Sequence, residues 1–314
     1  MDSQPQASSE AGSPAPNLHA TAPVGSTPPR VWTVFVAYVA LLTTVAVIGT
    51  LIFGVAMIVE ASRKGIKNPE DFTPLIEQLK VTPWLHAAGV MTSSTTGLVM
   101  ALLLAKLSPR PWRERLRLLP GASLHPVAWV AAVVACCALG QALESASILT
   151  GVWTWSATLK GLEATSKASP GTFALLMLFG TLVAGTAEEL FFRGYVQSRL
   201  VERWGRTAGI ACTATLFGII HMDPIQSPLA LAIGLYLGWL AEHTGSVRLP
   251  VLVHILNNAV SFLLSRFATP SSELPTSVHV ALLIVCPLLV AGALVLLRRA
   301  VAAPVVAAAT AVEG

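Results

Sequence analysis

Charge is what this chain has least of. Asp, Glu, Lys and Arg make up 11% of it, against 54% hydrophobic residues, and its mean hydropathy is +0.68. A soluble domain carries roughly twice that charged fraction, so a water-clad globular surface is excluded and several spans of about 20 apolar residues each are implied. Cysteine is scarce too. Cys136, Cys137, Cys212 and Cys286 all lie inside apolar runs. Their spacing fits neither a zinc nor a disulfide framework, so they read as small buried hydrophobes. No basic stripe interleaved with aromatics is present, which argues against a nucleic-acid partner. The net charge of +4 reads as loop anchors at a membrane face. No charged-then-apolar leader with a small-residue cleavage site opens the chain.

What is there is a succession of apolar runs. The fold class expected is an all-α, polytopic membrane helix bundle with about eight transmembrane helices. Residues 1–30, rich in Ser, Pro, Ala and Gly, read as a disordered tail, because they cannot bury enough apolar surface to offset chain entropy. Residues 31–170 hold the N-terminal helices and loops, with spans at 31–59, 85–105 and 126–149. A short amphipathic helix is expected near 71–79, and 151–170 reads as a loop. Residues 171–265 form a core with spans at 172–197, 207–221, 228–241 and 250–265. A last span lies within 266–300, and an Ala/Val-rich tail covers 301–314. The basic segments at 106–117, 199–206 and 298–299 place both termini on the cytoplasmic side of a multi-pass protein of the cell membrane.

One apolar run holds charge that needs explaining. Gly185 to Val196 reads GTAEELFFRGYV. A charged group at membrane depth costs several kcal/mol unless it is paired or lines a wet cavity. Residues four apart share a helix face, whereas adjacent ones point about 100° apart. Glu189 therefore faces Arg193 and can pair with it, which leaves Glu188 free to face a cavity. Two later stretches supply partners. Phe217 and His221 stand four apart in FGIIH, and His254 and Asn258 four apart in HILNN. Small residues at helical spacing, Gly180 with Ala184 and Gly234 with Gly238, allow helices to approach closely there.

A carboxylate, two imidazoles and an amide are the parts for hydrolysis of a peptide bond by water. In one arrangement Glu188 and a histidine activate the water, while the other histidine and Asn258 stabilise the developing oxyanion. In the other, Glu188, His221 and His254 bind a zinc ion that acidifies the water. Each also has a plainer reading. Glu189 with Arg193 makes a structural ion pair, and His254 with Asn258 serves as interhelical glue. Glu144 reads as a satisfied structural acid. His86, His125, His243 and His279 lie near helix ends and read as interfacial.

EELFFR fits an EExxxR pattern, FGIIH an FxxxH pattern and HILNN an HxxxN pattern, in that order on successive apolar runs. Together they resemble the CAAX protease and bacteriocin-processing (CPBP, or Abi) family of intramembrane proteases, over about residues 170–265. The resemblance implies an eight-helix, glutamate-dependent intramembrane endopeptidase, often labelled a metalloprotease. By position, Glu188 and His221 would activate water, His254 and Asn258 would form the oxyanion site, and Glu189, Arg193 and Phe217 would support them. The implied partners are a peptide or protein substrate, lipidated in the CAAX-type case, and membrane lipids. CAAX-type or peptide-precursor processing are the implied reactions; the alternative is a non-catalytic immunity or scaffold protein of the same fold. One expectation strains the picture. Ending the fourth span at Gln197 leaves Glu188 and His254 toward the cytoplasm, with His221 some ~22 Å of helix beyond Arg206.

Overall fold

The computed structural model describes residues 30–302. The two tails expected at 1–30 and 301–314 thus lie almost wholly outside the described residues. Among the described residues every regular element is a helix. The longer ones are α1 (Trp32–Lys64), α2 (Phe72–Lys80), α3 (Pro83–Lys106), α4 (Pro126–Leu149), α5 (Ala157–Ser166), α6 (Pro170–Trp204), α7 (Arg206–Ile219), α8 (Gln226–Thr244), α9 (Arg248–Phe267) and α10 (Thr276–Ala302). Their boundaries follow local chemistry. Proline opens α3, α4 and α6, where its missing N–H costs nothing. Gly65 and Gly245, at φ 66° and 72°, close α1 and α8 in the left-handed conformation.

Six of these helices, α1, α3, α4, α6, α9 and α10, are long and apolar enough to cross a membrane. They present large apolar side chains outward, as with Leu51 at 64% and Leu288 at 68% exposure. This is an all-helical, multi-pass membrane bundle, and the expected count of eight spans reduces to six that meet the requirement. The fifth and sixth expected spans do form helices. However, α7 has only 14 residues, about 21 Å at 1.5 Å per residue. The sixth, α8, is diluted by glycine and polar residues, and its long buried face packs on neighbouring helices rather than outward.

Two further expectations change. The stretch 151–170 is not a plain loop. A 3-10 turn at Val152–Trp155 leads into α5, which Ser156 caps by accepting from the Leu159 N–H at 3.0 Å. His279 is buried at 2% exposure, between Ser145 Oγ at 3.2 Å and the Ser271 carbonyl at 3.0 Å, and is not interfacial. The amphipathic helix near 71–79 forms as α2, with Leu75 and Leu79 buried beneath α1.

The most consequential correction is the end of the fourth span. Helix α6 does not stop at Gln197 but continues to Trp204, where Gly205, at φ 81°, turns the chain into α7. Glu188 then precedes Trp204 by sixteen residues, and His221 follows Arg206 by fifteen. Both lie about 22–24 Å from the turn along antiparallel helices. The depth mismatch vanishes, and Glu188 sits near the middle of α6 rather than toward one face.

The two ends of the bundle are built differently. At one end the 107–125 segment packs under the α6–α7 turn and the α8–α9 turn. Arg110 pairs with Glu202 at 2.8 Å, Arg115 donates to Ser198 at 2.7 Å, and Arg248 donates to the Leu118 carbonyl at 2.8 Å. Arg115 is buried beside Arg199; burial first, then that neighbour, lowers its pKa to about 10.

At the other end α5 ties the connections together. Arg266 donates to the Ser166 carbonyl at 2.6 Å, and Ser166 meets Ser265 at 2.6 Å. Asp223, in the α7–α8 connection, accepts from Ser156 at 2.9 Å and from the backbone N–H groups of Thr158, Ile225 and Gln226 at 2.9–3.2 Å. Burial pushes the Asp223 carboxyl up, but these donors outweigh it and hold the pKa below the ordinary value. A depressed carboxyl contributes stability above its unfolded pKa and loses it as pH falls through the folded one. Asp223→Asn should therefore lower the unfolding temperature in detergent at pH 7. The gap to wild type should close below about pH 4, and a gap independent of pH would contradict the carboxylate's role.

Candidate active site

Helix α6 supplies the densest cluster of polar groups at membrane depth. Two π-helical stretches, Leu178–Val183 and Leu190–Gln197, flank a short α segment that carries Glu188 and Glu189. Widened turns of this kind recur at functional sites, because they redirect side chains and backbone groups out of the regular ladder. The Gly180 carbonyl, within the first stretch, accepts from Asn258 Nδ2 on α9 at 3.0 Å. A Cβ on Gly185 would come within 3.0 Å of the Ile255 backbone nitrogen. Glycine there is what lets α9 approach closely enough for His254 to reach the glutamates.

Glu189 and Arg193 are both fully buried and pair at 2.6 Å. His254 Nδ1 lies 2.8 Å from the same Glu189 Oε1, and Arg193 Nη2 donates to the Gly234 carbonyl of α8 at 3.0 Å. The guanidinium also lies over the Phe217 ring, 4.5 Å from its centroid. One turn on, Gln197 donates to the Gly238 carbonyl at 3.0 Å and to Glu242 at 2.9 Å, and Glu242 pairs with Arg117. Gly234 and Gly238 are the seats for this column. A Cβ on either would meet Phe217 at 3.0 Å or Gln197 Oε1 at 2.7 Å. Gln197 and Glu242 escaped the sequence reading; the signal was there, since Gln197 continues the Glu189–Arg193 spacing of four.

Glu188 points elsewhere. It lines a cavity of about 670 Å³, together with His221, His254, Asn258 and Phe217. Glu188 Oε2 lies 3.7 Å from His254 Nε2, and its side chain is 30% exposed. His221 Nδ1 meets the Phe217 carbonyl at 2.8 Å. A carbonyl only accepts, so Nδ1 carries the proton and Nε2 is the free, basic nitrogen. Phe217 packs edge-on against both histidine rings, with centroids 5.2 Å from His221 and 5.9 Å from His254.

Of the seven residues singled out from sequence, five thus line the cavity. Glu189 and Arg193 lie behind its wall and do not. Asn257 lines it as well, along with Glu144, which accepts from Gln141 at 3.0 Å. Glu144 is therefore both satisfied and part of the wall.

Among the described residues, no three His, Cys, Asp or Glu side chains stand close enough together to hold a metal ion. Glu188, His221 and His254 share the cavity but do not converge as a ligand set, and the residues as placed do not fit the zinc arrangement. The four cysteines are free and provide no thiolate cluster.

The order and spacing of these groups match a known family. Residues 170–260, less than a third of the chain, match a family model described as Rce1-like. The family is the Type II CAAX prenyl endopeptidase Rce1-like group, and the match takes in EELFFR, FGIIH and HILNN whole. It bears out the resemblance seen in those motifs and leaves α1 to α5 and α10 outside. No curated protein and no solved structure matches the chain. The matched segment runs from α6 into α9; its motif residues lie on α6, on α7 and the turn after it, and on α9.

The geometry makes a stability prediction. Removing one partner of a buried ion pair leaves an uncompensated charge, at a cost of about 3–5 kcal/mol. Arg193→Met should lower thermal stability in detergent steeply, whereas the double variant Glu189→Gln/Arg193→Met should recover much of the loss. A double variant no more stable than Arg193→Met would contradict a desolvated pair.

Proposed function

We propose that this protein is an intramembrane endopeptidase that hydrolyses a peptide bond with water activated by Glu188 and His221. The observation that carries the reading is the single cavity shared by Glu188 of α6, His221 of the turn after α7, and His254 and Asn258 of α9, all within the Rce1-like segment. Glu188 is the carboxylate that is open to the cavity and free of an arginine partner. It takes a proton from water, with His221 Nε2 as the second acceptor on the same wall. The hydroxide attacks the carbonyl carbon, and the proton passes to the leaving nitrogen as the C–N bond breaks. The second N–H of Asn258 donates to the oxyanion, joined by His254 Nε2 when that ring carries a proton on both nitrogens.

Glu189 acts through His254. Its carboxylate accepts from Nδ1 and so fixes which ring nitrogen faces the substrate; it is a positioning residue. Peptide or protein substrates at the membrane, in CAAX-type or precursor processing, fit this chemistry. The basic end of the bundle, and with it both termini, is placed on the cytoplasmic side by the positive-inside rule.

The test is cleavage of a peptide and lipopeptide panel by purified protein. Glu188→Gln should lower kcat by about 10²–10⁴ with unchanged unfolding temperature, and Asn258→Ala by about 10²–10³ with a small drop in unfolding temperature from the lost bond to the Gly180 carbonyl. Cleavage that survives Glu188→Gln at the wild-type rate would remove the proposal.

A further inference from the structure

The cavity has a direction. Its lining includes Phe192, Ile233 and His254, which lie inside their helices rather than at the ends. From there it runs toward the end where α5, the α7–α8 connection and the 268–274 segment meet. Thr158, Met222, Thr269 and Ser272 lie along its rim, and the last three are exposed. No residue of the 106–125, 198–206 or 244–248 segments lines it. Those segments, with Arg30, Arg298 and Arg299, gather twelve of the chain's Lys and Arg at the opposite end, against seven at the rim end. The active-site mouth and the basic face are therefore on opposite sides of the bundle.

The wall also has a charge. Glu144, Glu163 and Glu188 line the cavity and among the described residues no Lys or Arg does; Glu163 is already paired with Lys167 at 2.6 Å, which leaves Glu144 and Glu188 without a Lys or Arg partner. The rest is largely apolar, from Leu41 and Val45 on α1 to Phe262 on α9. A cleaved C-terminal tripeptide would bring a free carboxylate into this space, with no cationic side chain there to receive it. A peptide segment with a Lys or Arg among apolar residues finds complementary charge.

We propose that the site opens away from the cytoplasm and takes an apolar, cationic peptide segment presented from the exoplasmic side, as in an exported or membrane-anchored peptide precursor. This rests on the endopeptidase reading but is tested without it. Ser272→Cys at the rim and Arg113→Cys at the basic end are probed with a membrane-impermeant maleimide, with wild-type labelling subtracted. In intact cells Ser272→Cys should label and Arg113→Cys should label only after permeabilisation; the reverse pattern overturns the proposal.

The second arm measures binding of two fluorescent, C-terminally amidated apolar peptides that differ only in a central Lys or Glu. The purified Glu188→Gln protein, which keeps the cavity without turnover, should bind the Lys peptide at least about tenfold more tightly, and adding Glu144→Gln should narrow that gap to about threefold or less. Equal binding, or preference for the Glu peptide, overturns the proposal as well. Neither readout requires hydrolysis, so failure of wild-type protein to cleave any peptide counts against the endopeptidase reading alone.

Discussion

The structure turns on a carboxylate that has been taken wholly out of solvent. Glu189 cannot remain ionised inside an apolar bundle unless Arg193 lies against it, and neither is tolerable without further hydrogen bonds. Those come from elements far apart in the chain, the Gly234 carbonyl on α8 and His254 on α9, and the Phe217 face on α7 adds a cation–π contact. One buried pair thus fixes four helices relative to one another. The neighbouring Glu188 is spared that duty. Adjacent residues on a helix must face different ways, and this separates the acid that holds the bundle together from the acid that meets the cavity.

Small residues make the arrangement possible. Gly185 admits α9, Gly234 admits Phe217 of α7, and Gly238 admits Gln197 of α6. Association in a membrane gains nothing from excluding water, so close packing and interhelical hydrogen bonds must supply the driving force. The column of Glu189, Arg193 and Gln197 supplies those bonds at every fourth residue. It continues through Glu242 to Arg117 in the connection below. Each backbone carbonyl it uses on α8 belongs to a glycine, Gly234 or Gly238.

Much of this was legible in the residues alone. Composition announced a membrane bundle, and the pairing of Glu189 with Arg193 followed from helical spacing. The gathering of His221, His254 and Asn258 with Glu188 was foreshadowed by three short patterns in order. What spacing could not supply was the extent of α6. Arg199 and Arg203 read as a basic segment following the span, but Arg199 lies over the Tyr195 ring, 4.0 Å from its centroid, and the helix runs on. The short α7 and Gly-rich α8 looked like spans because apolar runs in a bundle interior and at its lipid face are alike in composition. Helix α5 was missed because its capping serine finds its second partner, Asp223, sixty-seven residues away.

The hairpin of α6 and α7 acts like a pair of calipers hinged at Gly205. Its two arms, sixteen and fifteen residues long, bring Glu188 and His221 level only because they match. Each added or deleted residue in either arm would carry its tip about 1.5 Å along the axis and swing it about 100° around it. The site can therefore drift in sequence far more freely than in length. Descendants of this chain can vary the 65–71 connection widely while the distance from acid to hinge to imidazole stays fixed.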